Sequence, residues 1–532
     1  PFENRTGDPA WDDLGELAAE RITARLQREQ VGEVVPLSRA VGAARTANPG
    51  NLVRALVEAT GAALVITGDY STAGDSLAIA VRIVDGDRET QKGSFDLAVR
   101  SEDVRGSGLD ELGSRLAGGL LLAFEDAHPL WAMKVFPKIE AYRLVMEGTE
   151  LNLDLLPSEA LERLYAARSL DTTFALPLCE AGGVLWNLGE YQAADSVNRL
   201  VAEPFRTASE ALRYHYDGTR AWFEGDLEAA YRAQRRLVAL EPDIWSLRRL
   251  LAIYCYATNR PREALEAMLE AENKLGDDPA ARDWHLEHLT RSYHMLGEHQ
   301  KELETVRSLR ELNWSSELAI TYLESRAVAA LGRSEDVLAA QDLMEGLADT
   351  TYQAGLYMLA AALELRYHGY REGSKPAVAR AVRWFEERPE RVTNDPRYRT
   401  AFGAALYAAE RWEEAAAILK TLDETTPLHL DALGYLGLLA ARQGDGESAA
   451  EVSAELERIG REDYNSRAKT WIYRARIAAM LGDRVRAVSY LKRAFDVRFS
   501  FSPGSDLSRQ YRFDFEGMAD YPPYKELLRP KG

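Results

Sequence analysis

From Lys138 to Phe499 the apolar positions recur at the i, i+3, i+4 spacing of amphipathic helices, in pieces of about 12–18 residues broken by short polar or glycine-containing turns. When the segments are aligned on the residue between the two helices of each pair, Gly189, Gly225, Asn259, Gly297, Gly332, Gly369, Glu410, Gly444 and Gly482 fall in register, 34 to 41 residues apart. Five residues further on, most repeats carry a small side chain (Ala194, Ala230, Ala264, Ala415, Ala449, Ala487), as two closely approaching helices require. Tyr191, Leu227, Pro261 and Trp412, two after the turn, open the second helix, and Pro242 or Pro427 stops it. One pair cannot bury its apolar faces alone, so the pattern predicts about nine or ten pairs stacked into an all-α superhelix over residues 138–499.

Before the division near Pro129–Pro137 the period changes repeatedly, predicting a small α/β domain over residues 1–128. ELAAERITARL after Asp13 and NLVRALVEATG, stopped by Gly61, have helical spacing, whereas GEVVPL between them is short, β-branched and strand-like. ALVITGDYSTAG turns at Gly74-Asp75 into the alternating DSLAIAVRIVDG, a hairpin. After the Asp85-Gly86-Asp87 turn GSFDLAVR supplies a third strand, and LDELGSRLAGGLLLAFE closes the domain as a helix. Residues 500–532 lose the helical period at first and are rich in aromatics (Phe501, Tyr511, Phe513, Phe515, Tyr521, Tyr524), which predicts a cap on the end of the array. The fold class expected is α+β overall: an α/β domain followed by an α-solenoid.

Composition narrows the function classes. The 532-residue chain is too long for one ordinary core, and 46% hydrophobic with 28% charged residues argues against disorder. A formal charge of −19 opposes binding to nucleic-acid phosphates. No apolar run approaches the roughly 18 residues of a membrane span, and the stretch around Leu116–Phe124 is short and flanked by Arg115 and Glu125. Two cysteines, Cys179 and Cys255, sit far apart in helical patterns and read as small buried hydrophobes, with no disulfide framework.

The turn period and the small residue after it resemble the tetratricopeptide repeat, which is about 34 residues long. PFENRTGDPAWDDLGELAAERITARL with TGDYSTAGDSLAIAVRIVD resembles the domain related to the TolB amino-terminal domain and FlgO that precedes such arrays in bacterial regulators. AYRLVMEGTEL and DYPPYKELLRPKG are similar to the joint into the first repeat and to the carboxyl end of such proteins. The resemblance implies a sensory or scaffold region behind a serine/threonine kinase, winged-helix or cyclase domain, commonly with a membrane helix between. It also implies an extracytoplasmic location and a first strand extending upstream of Pro1-Phe2.

No catalytic motif is legible: there is no kinase loop set, no GxxxxGK[ST] and no GxSxG, and Gly106-Ser107-Gly108 reads as a helix-entry loop. In DWHLEHLTRSYHMLGEH, His285 and His288 share a helical face without the HExxH spacing, with His294 well round the helix, so they read as polar helix positions and no metal or other cofactor is expected. In tetratricopeptide arrays the first helices line the concave face. Six before the turn stand Arg291, Arg326 and Arg476, with Arg220 one place out of register; ten before stand His215, Arg249 and Tyr322; three before stand Trp222, Tyr256 and His294. These positions predict a basic, aromatic groove for a protein or peptide partner of acidic character. The expected function is therefore a non-enzymatic interaction and sensory scaffold. Two further readings stay open: an α/β domain that senses a small ligand or envelope component and relays it through the repeats, and an enzyme site marked by convergent carboxylates or a metal.

Overall fold

The computed structural model describes the chain apart from residues 1, 48–50, 87, 125–135, 154–155, 189, 207–209, 243, 273–278, 312–316, 348–351, 423–428, 464–465, 498–511 and 532. Gly189, Asp87, Pro129, Pro427, Phe499, Phe501 and Tyr511 thus lie outside the described residues. By its internal contacts the chain forms two compact units, Pro1–Phe223 with Ala239–Ile244, and Glu224–Val238 with Trp245–Gly532.

The first unit opens with a four-stranded sheet. β1 (Glu3–Asn4) runs parallel to β2 (Leu64–Ala73), which pairs antiparallel with β3 (Ser76–Asp85), and β3 with β4 (Gln91–Arg100). The two-residue turn at Gly74-Asp75 joins β2 to β3, with Gly74 at φ 63°, as the hairpin pattern predicts. Alternation along β3 puts Leu77, Ile79, Val81 and Ile83 in the core, where α1 (Leu14–Glu29) brings Leu14, Ile22 and Leu26. Helices α2 (Leu37–Thr46) and α3 (Leu52–Thr60) follow, and α4 (Leu109–Phe124) adds Leu112, Leu116 and Leu120 to the same core. Phe2 seats the edge strand: a Cβ on Gly15 would meet the Phe2 carbonyl oxygen at 2.1 Å, and one on Gly68 would meet its ring at 2.8 Å.

The β-branched GEVVPL stretch corrects one expectation, because it forms no strand. Gly32 at φ 74° turns the chain, and Pro36, which has no N–H for a ladder, stands at the N-cap of α2. Val34 still packs on the core from an irregular segment. Gly106 and its neighbours form a π-helical turn, Val104–Gly108, that runs into α4, as a helix-entry loop should.

From Ile139 on, the described chain is helical, apart from turns and connecting loops. In the first unit α5 (Ile139–Leu153) packs on α6 (Pro157–Leu170), and α7 (Leu176–Asn187) on α8 (Tyr191–Arg206). A buried ion pair joins α4 to this array: Arg115 donates to Asp171 at 3.0 Å and to the Phe136 carbonyl at 2.7 Å. Then come α9 (Glu210–Glu224), nearly all in the first unit, and α10 (Leu227–Leu240), mostly in the second.

The second unit continues as α11 (Trp245–Ala257) with α12 (Pro261–Glu272), α13 (Pro279–Leu296) with α14 (His299–Glu311), and α15 (Glu317–Ala330) with α16 (Ser334–Leu347). Next are α17 (Gln353–Tyr367) with α18 (Arg371–Glu386), the short α19 (Pro389–Asn394), and α20 (Pro396–Ala408) with α21 (Trp412–Leu419). The last pairs are α22 (His429–Arg442) with α23 (Gly446–Glu462) and α24 (Arg467–Met480) with α25 (Arg484–Val497). First helices stack in sequence, α15 on α17, α17 on α20, α20 on α22 and α22 on α24, the layered packing of an α-solenoid.

The turns explain the period. All eight described register residues, from Gly225 to Gly482, have positive φ, and Asn259 (58°) and Glu410 (61°) adopt it without being glycine. Seven of these turns close in the same way, as at Gly369, whose N–H donates to the Arg366 carbonyl while Tyr370 N–H donates to that of Leu365. This left-handed C-cap satisfies the last carbonyls of the first helix and reverses the chain within three residues. The alanines five residues after the turn (Ala194, Ala230, Ala264, Ala415, Ala449, Ala487) are all fully buried, as close helix approach demands. Among the described residues no helix is long and apolar enough to cross a membrane.

Candidate peptide-binding site on the first helices of the second unit

The residues picked out by register fall in two units. His215, Arg220 and Trp222 belong to the first unit, and the other six to the second. Arg220 is exposed and leans over the Tyr216 ring at 5.9 Å, and Trp222 stands 6.4 Å from Trp186. Arg249 and Arg291 are half-buried, and Arg291 lies over the Tyr256 ring at 5.0 Å. Tyr322 is half-buried and stacks on Tyr357 at 4.4 Å.

For Tyr256, His294 and Arg326 the groove expectation is corrected: all three are buried. The Tyr256 hydroxyl donates to the His288 carbonyl at 2.7 Å, while His294 and Arg326 both hold Glu302, at 2.8 and 2.9 Å. In these repeats the stacking of the next pair turns those positions inward, so the side chains bind neighbouring helices instead of solvent.

Other basic and aromatic residues cluster on the first helices α17, α20, α22 and α24, and the chain's own tail packs against them. Residues Arg512–Met518 form a 3-10 helix against α17 and α24, followed by α26 (Pro522–Leu528) against α25. Asp514 is fully buried at its centre. Its Oδ2 accepts from Arg476 Nε at 2.7 Å, and its Oδ1 accepts from Arg442 Nη2 at 2.9 Å and from the Tyr407 hydroxyl at 2.5 Å. Arg442 Nε in turn donates to the Tyr407 oxygen at 2.6 Å. The flanking phenylalanines take opposite sides. Phe513 lies under Arg366 at 4.1 Å and Arg442 at 4.5 Å, while Phe515 packs with Tyr524 into the core of α24 and α25. Glu516 completes the acidic run by accepting from Arg366 Nε at 2.8 Å and from Arg371 at 3.2 Å.

The electrostatics follow from this geometry. Burial opposes the Arg476 charge, but Asp514 and the surrounding tyrosines, Tyr435, Tyr473 and Tyr407, outweigh it and hold the guanidinium well above its ordinary pKa. Burial and Asp514 together push the Tyr407 hydroxyl well above its usual value, against the opposing charges of Arg476 and Arg442. Tyr407 therefore stays a proton donor to Asp514, and the guanidinium groups of the buried Arg476 and the half-buried Arg442 face one buried carboxylate. Arg476 is stacked as well, 5.0 Å from the rings of both Tyr435 and Tyr473. Between the tail and the end of α17 lies a cleft of about 950 Å³, lined by Arg366, Tyr367, Phe513, Glu516 and Tyr524 among others.

The tail also touches an early repeat. Asn259 Nδ2 donates to the carbonyls of Leu528 and Arg529 at 3.2 and 2.9 Å, and its own carbonyl accepts from Lys531 N–H at 2.7 Å. Lys531 Nζ pairs with Glu228 at 2.9 Å. Asparagine at this turn tolerates the left-handed backbone and supplies the amide that glycine lacks.

The sequence pattern points to Arg476, six before the turn at Gly482, and not to Arg366, Tyr407 or Arg442. Arg366 and Tyr407 occupy the position three before the turn, the register that carries Trp222, Tyr256 and His294. The missing signal was the complementary one, an acidic residue between two phenylalanines in the tail.

No family model and no curated protein matches the chain. Solved structures similar to it are helical-repeat proteins. The C-terminal part of a TPR repeat-containing protein from Cytophaga hutchinsonii is 14% identical, over 54% of this chain and 99% of that one, at a TM-score of 0.23. The human IFIT1 dimer with PPP-AAAA is 13% identical, over 65% and 88%, at 0.30. Yeast Tom70 is 13% identical, over 63% and 81%, at 0.21.

Proposed function

We propose that this protein is an interaction scaffold whose second unit captures an extended segment carrying an acidic residue between aromatics, and that its own Phe513–Glu516 holds the site until a partner displaces it. The observation that carries this is Asp514, buried between Tyr407, Arg442 and Arg476, which come from three successive first helices, α20, α22 and α24. The buried Arg476, stacked on tyrosines, and the half-buried Arg442 select a carboxylate, and the Arg366–Arg442 slot over Phe513 selects a ring. Occupancy by the tail lowers the apparent affinity of any partner by the fraction of chains whose site is open.

The test uses the full chain and a labelled peptide copying residues 512–518, followed by fluorescence anisotropy. Replacing Phe513 and Asp514 by alanine together should open the site and tighten peptide binding by at least about tenfold over the intact chain. Adding Arg476→Gln should remove that binding. A folded, opened chain that ignores the peptide would dispose of the proposal.

The resemblance of residues 1–128 to a TolB-N/FlgO-like domain supports a wider reading. The scaffold is then the regulatory part of a larger bacterial signalling protein, held on the extracytoplasmic side of a membrane. The coding sequence upstream of Pro1 tests this: a kinase, winged-helix or cyclase domain is expected there, and a start codon at that point with no such domain would refute it.

A further inference from the structure

The position five residues after the turn is a fully buried alanine in six repeats, yet in the Gly297 repeat it is Glu302, also fully buried. A carboxylate at a helix-packing position is costly unless it is bound on every side. Two imidazoles from the same turn face it: His294 Nδ1 lies 2.8 Å and His299 Nδ1 3.1 Å from Glu302 Oε2. One donor atom from each of these three residues lies within 4.8 Å of the others.

The surroundings hold these three atoms together. Glu302 Oε1 is held by Arg326 Nε at 2.9 Å and also lies 3.0 Å from His294 Nδ1, while Oε2 faces both histidines. His294 Nε2, the nitrogen on the far side of its ring, lies 3.3 Å from Glu364 Oε1, and the same oxygen accepts from His368 Nε2 at 3.0 Å. A carboxylate on the outer nitrogen is how proteins orient a metal-binding imidazole. The His299 ring is wedged edge-on between His294 at 5.1 Å and His368 at 4.9 Å, and its side chain keeps 12% exposure, so the cluster opens to solvent there.

We propose that His294 Nδ1, His299 Nδ1 and Glu302 Oε2 form a site for a divalent transition-metal ion of the zinc type, with a fourth position open on the His299 side. Two imidazoles and one carboxylate are a zinc donor set, and a tetrahedral ion with bonds of about 2.0–2.1 Å needs donors about 3.4 Å apart, a rearrangement of an ångström or so from the present spacing. His-x4-His-x2-Glu across the turn keeps the donors local, while Glu364 from α17 and Arg326 from α15 bring two further repeats to the cluster. The pair His285 and His288 takes no part: both rings are buried, with neither nitrogen hydrogen-bonded among the described residues.

The experiment strips the full chain with a chelator, titrates Co²⁺ and follows its visible absorption, then competes with Zn²⁺ and reads the thermal midpoint. One equivalent of Co²⁺ should give the intense spectrum of a four-coordinate ion, be displaced by Zn²⁺, and raise the midpoint. His299→Ala, at a half-buried helix start that tolerates alanine, should abolish the spectrum while circular dichroism stays unchanged. Glu364→Gln should weaken binding by about 10- to 100-fold through loss of the orienting carboxylate. No cobalt spectrum with the intact chain, or an unchanged one with His299→Ala, overturns the proposal.

Discussion

Arg476 Nε donates to Asp514 Oδ2 at 2.7 Å across 38 residues of sequence, and both side chains are sealed from solvent. The pair ties α24 to the tail, and the buried Arg476 charge has Asp514 as its carboxylate partner. Asp514→Ala leaves Arg476 buried without its carboxylate and should cost about 3–5 kcal/mol of stability. Urea denaturation measures the loss, and amide exchange over residues 513–528 should speed up. A variant as stable and as protected as the parent would show that the pair does not hold the tail.

Glu410 is the register residue least suited to its turn, since its φ of 61° costs a side-chain-bearing residue about 1–2 kcal/mol. Its ion pair with Arg366, at 3.6 Å and with Glu410 largely exposed, returns little of that. Glu410→Gly should therefore raise stability by up to about 1 kcal/mol, whereas Gly482→Ala, at φ 81°, should lower it by a similar amount. Thermal melts of the two variants should move in opposite directions.

Gln341 is fully buried on α16, and its amide donates to the carbonyls of Met358 at 2.9 Å and Ala377 at 3.0 Å. Gln234, likewise nine residues after its turn glycine, donates to the Leu247 carbonyl at 2.8 Å. A buried glutamine at this place binds one pair to the next. Gln341→Leu keeps the volume but removes two inter-helix hydrogen bonds, leaving each carbonyl only its own helix's N–H, so a loss of about 1–3 kcal/mol is expected from the denaturation midpoint.

Acid should loosen the second unit through α13. Burial, with Arg282 beside it, pushes the His285 pKa down to about 4. Burial also depresses His288, with Arg249, Arg291 and His285 adding to the effect. The unfolded chain titrates its histidines near about 6.5. Between these values the unfolded state binds protons that the folded state refuses, so the contribution is complete above about pH 6.5 and is lost as the pH falls toward 4. The urea midpoint should drop between pH 7 and pH 5, and His285→Leu should make that drop shallower. Equal pH profiles for parent and variant would contradict the assignment.

The repeat register was legible because its cause is local. A glycine or its substitute at positive φ, an alanine five residues on and an apolar stripe each arise within one helix pair, so a single linear pattern records them. The hairpin at Gly74-Asp75 and the helices ending at Glu29 and Thr60 were readable for the same reason. Where a local signal competed with a stop, as Val34 and Val35 did with Gly32 and Pro36, the β-branched residues pointed to a strand and the backbone made a helix entry instead.

Which face of a first helix meets its neighbours depends on how successive pairs stack, and that is a long-range outcome. Tyr256, His294 and Arg326 share register positions with Arg366, Tyr407 and Arg476, yet the first set is buried among helices while the second receives the tail. Periodicity along the chain therefore determined the order of the paired helices and the turns between them. Tertiary packing alone decided which arginines meet a carboxylate, because charges that must find partners tens of residues away are placed by the stacked helices between them.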